Sequence, residues 1–163
     1  MHRRTAISIL GGGLVLGTAG CLGGDSADGY YTHDGVDVPL VGTETALGWF
    51  DEADVAFFDA RGQSEYEEVR IEGAEWSPAE HGRATDDPSE QLSTDDRIVT
   101  YCVCPHLLAG QRGASLLNDG FEEVYGLDEG LQGWIDAGGA IEGTETVTAL
   151  EGAHEFSADY PDE

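Results

Sequence analysis

The chain has 163 residues, with 33 Asp and Glu against 7 Arg, no Lys, a formal charge of −26 and a hydrophobic fraction of 40%. That fraction excludes a disordered polyanion, the length leaves room for one ordinary domain and little else, and the charge disfavours nucleic-acid backbones and anionic substrates globally, so that an anion site needs locally placed Arg and backbone amides. Acids spread along the whole chain imply a carboxylate-rich, halophilic surface whose self-repulsion molar salt would screen.

The first 21 residues read as an address. Arg3 and Arg4 precede an almost uncharged run from Ala6 to Gly20, and Cys21 follows. This is the charged, apolar and small-residue order of a signal peptide, and Arg3-Arg4 resembles a twin-arginine export signal. The run of about fifteen residues is short of the roughly 20 needed to span a bilayer, and its five glycines weaken a helix further. Thr18-Ala19-Gly20-Cys21 resembles a lipobox, with Thr18 where Leu is more usual. The expectation is an exported protein anchored to the membrane by lipid at Cys21, with Leu22 to Gly35 as a flexible Gly-, Ser- and Asp-containing tether.

Short apolar runs then alternate with helical segments, the pattern of an α/β domain on a parallel sheet. Val36–Val41 predicts the first strand, and a helix starting at Thr43 or Glu44 carries Ala46, Leu47, Trp49 and Phe50. Val55–Phe58 is continuously apolar, as a strand buried on both faces requires. Ser64–Glu68 predicts a short helix with a Ser cap. Ile71–Trp76 is a weaker third strand, closed by Ser77-Pro78. Glu80–Asp96 is polar, with a short helix around Ser89–Leu92. Ile98–Cys102 is the strongest strand. A helix from about Ala109 to Asn118 follows, with Gly120 at its C-terminal cap. Val124–Leu127 predicts the fifth strand, and a last helix bears Leu131, Trp134 and Ile135 and stops at Gly138-Gly139. The expected fold is thus one domain over residues 36–143, with a central parallel five-stranded sheet and helices on both faces. An acidic tail runs from Thr144 to Glu163, with Val147, Leu150, Phe156 and Tyr160 as residues able to dock on it.

With Cys21 assigned to lipid, the remaining cysteines lie in Tyr101-Cys102-Val103-Cys104-Pro105-His106. A Cys at the C-terminal end of a central parallel strand sits on the usual functional rim of an open α/β sheet. The following loop leads into a helix N-terminus, whose positive end lowers a thiol pKa and holds anions. Arg112, early in that helix, adds a fixed positive charge. Together these residues describe a nucleophile in an anion cradle.

Asp59-Ala60-Arg61, Glu65-Tyr66, Ile71-Glu72-Gly73-Ala74, Tyr101-Cys102, Arg112, and Gly120-Phe121 through Val124-Tyr125 to Gly130-Leu131-Gln132-Gly133-Trp134 together resemble a rhodanese domain over about Val36 to Gly143. The resemblance implies a sulfurtransferase in which a loop Cys takes a sulfane sulfur from an anionic donor, becomes a persulfide and passes the sulfur to a thiol or other thiophilic acceptor. The family's nucleophile maps onto Cys102, and Cys104 replaces or assists it. Arg112, His106, Asp59 and Arg61 are the candidate substrate-binding residues, and no cofactor is implied. The common pattern has its Arg five residues after the nucleophile, whereas Arg112 is ten after Cys102 and eight after Cys104, so the cradle is longer or differently folded. The usual Gly-His-Ile ahead of Gly73-Ala74 is replaced by Val69-Arg70-Ile71.

Other readings stand beside this one. Cys102 also fits a small buried hydrophobe, and Cys102 with Cys104 a strained, readily reduced disulfide. Cys102, Cys104 and His106 have the donor types for copper or zinc but lack a fourth ligand nearby. Asp59 and Arg61, with Glu65, either line the active-site side or form a structural ion pair beneath it. His33, His81 and His154 lie in polar stretches and read as solvated. For the whole protein, the alternatives to catalysis of sulfur transfer are a non-catalytic binding or sulfur-carrier module and an oxyanion enzyme of phosphatase or arsenate reductase type.

Overall fold

The strand and helix runs assemble around one main sheet and a small second one in a computed structural model that describes residues 29–79, 86–103 and 107–144. The elements are β1 (Tyr30–His33), β2 (Val36–Val41), α1 (Thr43–Asp51), β3 (Ala56–Asp59), α2 (Gln63–Glu68), β4 (Arg70–Ile71), β5 (Glu75–Trp76), a 3-10 turn (Pro88–Gln91), β6 (Ile98–Tyr101), α3 (Leu107–Asn118), β7 (Val124–Leu127), α4 (Gly130–Asp136) and β8 (Ile141–Glu142). The signal segment, Cys21, the greater part of the tether, Cys104, His106 and the tail beyond Thr144 lie outside the described residues.

The main sheet has the order β1-β2-β7-β6-β3-β5. Its five strands from β2 to β5 run parallel, as expected, and β1 pairs antiparallel with β2 at one edge. The sheet therefore reaches back into the stretch expected to be tether. Tyr30-Tyr31-Thr32-His33 turns through Asp34 and Gly35, both at positive φ, into β2. Four residues with two adjacent tyrosines and no apolar alternation are a weak strand signal when read alone.

Two further expectations need correction. Ile71–Trp76 is two strands, because Gly73 at φ +75° makes a turn after Ile71 and the Ala74 amide bonds back to the Ile71 carbonyl at 3.0 Å. β4 then pairs with β8 in a separate two-stranded sheet, while β5 joins β3. The cap of α2 is Gly62, with the Glu65 carboxylate accepting from the Gly62 amide at 3.2 Å, so Ser64 lies inside the helix. Leu107 and Leu108 extend α3 by two residues at its N-terminus.

Side-chain alternation along the central strands builds one core on each face. On one side Phe57, Val99, Tyr101 and Leu127 pack with Trp49 of α1 and with Leu131 and Trp134 of α4. There the ring of Trp134 meets Phe57 and Phe50 edge to face, at centroid distances of 5.1 and 5.4 Å. On the other side Phe58, Ile98 and Val124 pack with Leu116 of α3. Gly110 and Gly113 bring α3 close to the sheet: a β-carbon at Gly110 would fall on the ring of Tyr31, and one at Gly113 would lie 2.8 Å from Val38. No helix among the described residues is long and apolar enough to cross a membrane.

A surface this acidic sets a first prediction. The melting temperature is expected to rise steadily from low to molar KCl as carboxylate repulsion is screened. A salt-independent melting temperature in a thermal scan would contradict that reading.

Candidate functional site

Cys102 follows the last residue of β6, which lies between β7 and β3 in the interior of the sheet. Its side chain is buried, with 1% of the residue exposed. Two backbone hydrogen bonds fix the strand end. The Ala60 amide donates to the Tyr101 carbonyl and the Leu131 amide to the Cys102 carbonyl, both at 2.9 Å. The second bond requires the start of α4 to sit directly against the turn after β6. Gly130 makes this approach, since a β-carbon there would stand 2.7 Å from the Cys102 oxygen and 2.8 Å from the Val103 oxygen, and its φ is +60°.

A second prediction arises here. Gly130→Ala combines a left-handed backbone with that contact, so it is expected to cost more than about 1 kcal/mol and to displace the turn carrying Cys102. Urea denaturation and the rate of thiol alkylation read the two effects. An unchanged midpoint with an unchanged alkylation rate would contradict the packing described.

α3 starts at Leu107, so the thiol-bearing strand end and the N-terminus of a 12-residue helix are separated by residues 103–106 alone. The peptide dipoles of α3 direct positive potential toward that connection. From the other side of Cys102, Thr100 donates its hydroxyl to the Ala109 carbonyl at 2.8 Å, pinning the first turns of the helix to the strand.

Arg112 lies one to two turns into α3 and is 1% exposed. Its Nε donates to Ser77 Oγ at 2.7 Å, and Nη2 to both Asp87 oxygens at 2.7 Å. Nη1 is buried with no hydrogen-bond partner among the described residues. Asp87 also caps the 3-10 turn, accepting from the Ser89 amide at 3.0 Å and the Ser89 hydroxyl at 2.8 Å. The guanidinium thus joins α3 to the two segments that carry Ser77 and Asp87, and a carboxylate already balances its charge. Sequence reasoning misses Ser77 and Asp87 as site residues. Asp87-Pro88 is a cap signature in the sequence, but nothing in it says that the same carboxylate receives Arg112.

On the neighbouring strand β3, Asp59 stands opposite Tyr101, and with Arg61 it forms a fully buried pair beside the end of β6. Arg61 Nε and Nη2 donate to the two carboxylate oxygens at 2.9 and 2.6 Å, and Nη2 also reaches the Val69 carbonyl at 2.6 Å. The Arg61 amide donates to Asp59 Oδ1 at 3.0 Å, and Trp76 Nε1 to the Arg61 carbonyl at 2.9 Å. Burial works against the guanidinium's charge, but the hydrogen bond and charge of Asp59 outweigh it and hold the Arg61 pKa above its usual value. Tyr101 is buried next to this pair. Desolvation, reinforced by the Asp59 charge, keeps its phenol well above the usual tyrosine pKa. The phenol oxygen accepts from the Ile71 amide at 3.2 Å. Glu65 belongs to the exposed N-terminal turn of α2, where it accepts from Gly62.

Of the predicted constellation, the structure therefore brings Cys102 and the start of α3 together, and it sets Asp59 and Arg61 as a satisfied pair beside the end of β6. Cys104 and His106 lie outside the described residues, and with them the metal reading. Among the described residues no three His, Cys, Asp or Glu side chains are grouped to hold a metal ion.

The rhodanese-like domain family matches residues 43–137. No curated protein matches the chain. Among solved structures, the rhodanese-like domain of the Anabaena sp. Alr3790 protein is similar at 23% identity and a TM-score of 0.57, over 77% of this chain and 88% of that one. The thiosulfate sulfurtransferase from Pseudomonas aeruginosa is similar at 26% identity and a TM-score of 0.54, over 67% of this chain but 21% of that larger one. RPA3614 from Rhodopseudomonas palustris, described as a protein of unknown function and possible tyrosine phosphatase, shares the fold at 23% identity and a TM-score of 0.54, over 64% of this chain and 85% of that one.

Proposed function

Because the chain belongs to the rhodanese-like family, we propose that it is a sulfurtransferase, moving sulfane sulfur from an anionic donor such as thiosulfate through a persulfide on Cys102 to a thiophilic acceptor. The observation that carries this reading is the position of Cys102, which follows an interior parallel strand and lies five residues before Leu107, the first residue of α3. The likeness to a thiosulfate sulfurtransferase supports the donor class.

In the first half-reaction the Cys102 thiolate attacks the outer sulfur of thiosulfate. A new S–S bond forms, the S–S bond of thiosulfate breaks, and sulfite leaves with its electron pair. In the second, the acceptor's nucleophile attacks the outer persulfide sulfur and the Cys102 thiolate is released. With cyanide as acceptor the product is thiocyanate. Both steps begin and end on anionic sulfur, so positive potential from the N-terminus of α3 favours binding of the anionic donor.

Arg112 contributes through its remaining donor, Nη1, while Asp87 and Ser77 hold the rest of the guanidinium. The Asp87 counter-charge leaves most of the anion binding to backbone dipoles. Cys104 assists or resolves the persulfide, and His106 meets the donor from the same loop. Asp59 and Arg61 act from beside the end of β6, as a rigid base for Tyr101 and the turn.

The same reading has the protein exported and tethered to the membrane by lipid on Cys21, on the strength of the Arg3-Arg4 pair, the apolar run and the lipobox-like Thr18–Cys21. The test of function is turnover in molar salt with thiosulfate and cyanide, alongside an aryl phosphate and arsenate. Thiocyanate formation is expected. Phosphate release or arsenate reduction without thiocyanate would replace the proposal with an oxyanion enzyme, and no turnover by a folded protein would leave a binding or carrier module.

A further inference from the structure

The path by which the chain joins the sheet bears on where the Cys102 rim faces. β1 runs antiparallel to β2, so its first residue lies at the C-terminal end of β2: Tyr30 is opposite Pro39, and the Leu40 amide donates to the Gly29 carbonyl at 3.0 Å. The strands from β2 to β5 are parallel, so that end is the same rim on which Cys102 follows β6. Leu40, Gly126 and Thr100 occupy one row across β2, β7 and β6. At a strand spacing of about 4.8 Å, the start of β1 is roughly 14 Å along the rim from the end of β6.

Seven residues separate Cys21 from Gly29. A chain of that length reaches at most about 26–29 Å when fully stretched. A second observation falls on the same spot. Tyr30, with 72% of its surface exposed, is the only large exposed hydrophobic residue among those described, and it immediately follows the tether. A tyrosine, with an apolar ring and a polar tip, suits the boundary between lipid and water.

We propose that this rim is the membrane-facing side of the domain, with Tyr30 resting on the bilayer surface and the strand end that carries the buried Cys102 turned toward that surface. The inference rests on the lipid anchor at Cys21 proposed above. The acidity of the surface does not oppose it in brine, where the screening length falls to about 3 Å at 1 M salt.

The test uses the full-length chain, purified with its lipid and reconstituted in phosphatidylcholine vesicles in molar KCl, with an energy-transfer acceptor on the lipid headgroups. A donor dye is placed through an unnatural amino acid at exposed Glu44, which follows β2 on the Cys102 rim, or at exposed Asp95, which precedes β6 at the opposite end. Transfer severalfold stronger from Glu44 than from Asp95, with the difference reduced in Tyr30→Ser, is the expected result. Equal transfer, or stronger transfer from Asp95, in vesicle-bound protein would overturn the orientation while leaving the anchor standing. Protein that does not float with the vesicles would overturn the anchor, and the orientation with it.

Discussion

Arg61→Met is expected to destabilise the domain by about 3–5 kcal/mol, because it strands the Asp59 carboxylate in a buried site built around a guanidinium. Three of the hydrogen bonds described end on that carboxylate, two from the Arg61 side chain and one from its amide. The Val69 carbonyl would also lose a donor. With total stabilities of about 5–15 kcal/mol typical of such domains, the loss approaches the whole margin. Urea denaturation in molar KCl gives the number. The double variant Asp59→Leu with Arg61→Met removes both charges, and it is expected to recover part of the loss, since the cost of the single variant lies in the unpaired charge more than in the missing attraction. A single variant within about 1 kcal/mol of the parent, far below the usual cost of breaking a buried ion pair, would show that Asp59 and Arg61 are not the rigid base described.

Cys102→Ser is expected to reduce sulfur transfer at least about a thousandfold, because a serine hydroxyl neither ionises in this range nor accepts a sulfane sulfur. The fold should survive, since the substitution changes one atom in a buried site and costs on the order of 1–2 kcal/mol. Steady-state thiocyanate formation in Cys102→Ser and Cys104→Ser separates the two thiols. A folded Cys102→Ser protein with activity within about tenfold of the parent would remove Cys102 as nucleophile, and a loss confined to Cys104→Ser would move the role there.

The parallel sheet was legible because its central strands are buried on both faces and therefore read as unbroken apolar runs: Val55–Phe58 and Ile98–Cys102 emerged with boundary shifts of one residue and Val124–Leu127 with none. β1 was not legible, since an edge strand with one polar face leaves no such run and its stability comes from pairing with β2 and from α3 packing on Tyr31. The split of Ile71–Trp76 turned on the single positive φ of Gly73. At the site, Cys102 could be found because its position follows from strand order and sheet polarity. The surroundings of Arg112 could not, because Ser77 and Asp87 reach it from distant parts of the chain through contacts that no local pattern records. The Asp59–Arg61 pair lay within reach of sequence reading, two residues apart, although burial rather than spacing decides that it is structural.

The most direct test of the central claim is an intact mass spectrum of the protein in molar salt, before and after thiosulfate and again after cyanide, with peptide mapping of the cysteines. One added sulfur atom on the Cys102 peptide, removed by cyanide with release of thiocyanate, is the predicted result. A folded protein whose Cys102 takes up no sulfur would contradict the persulfide mechanism.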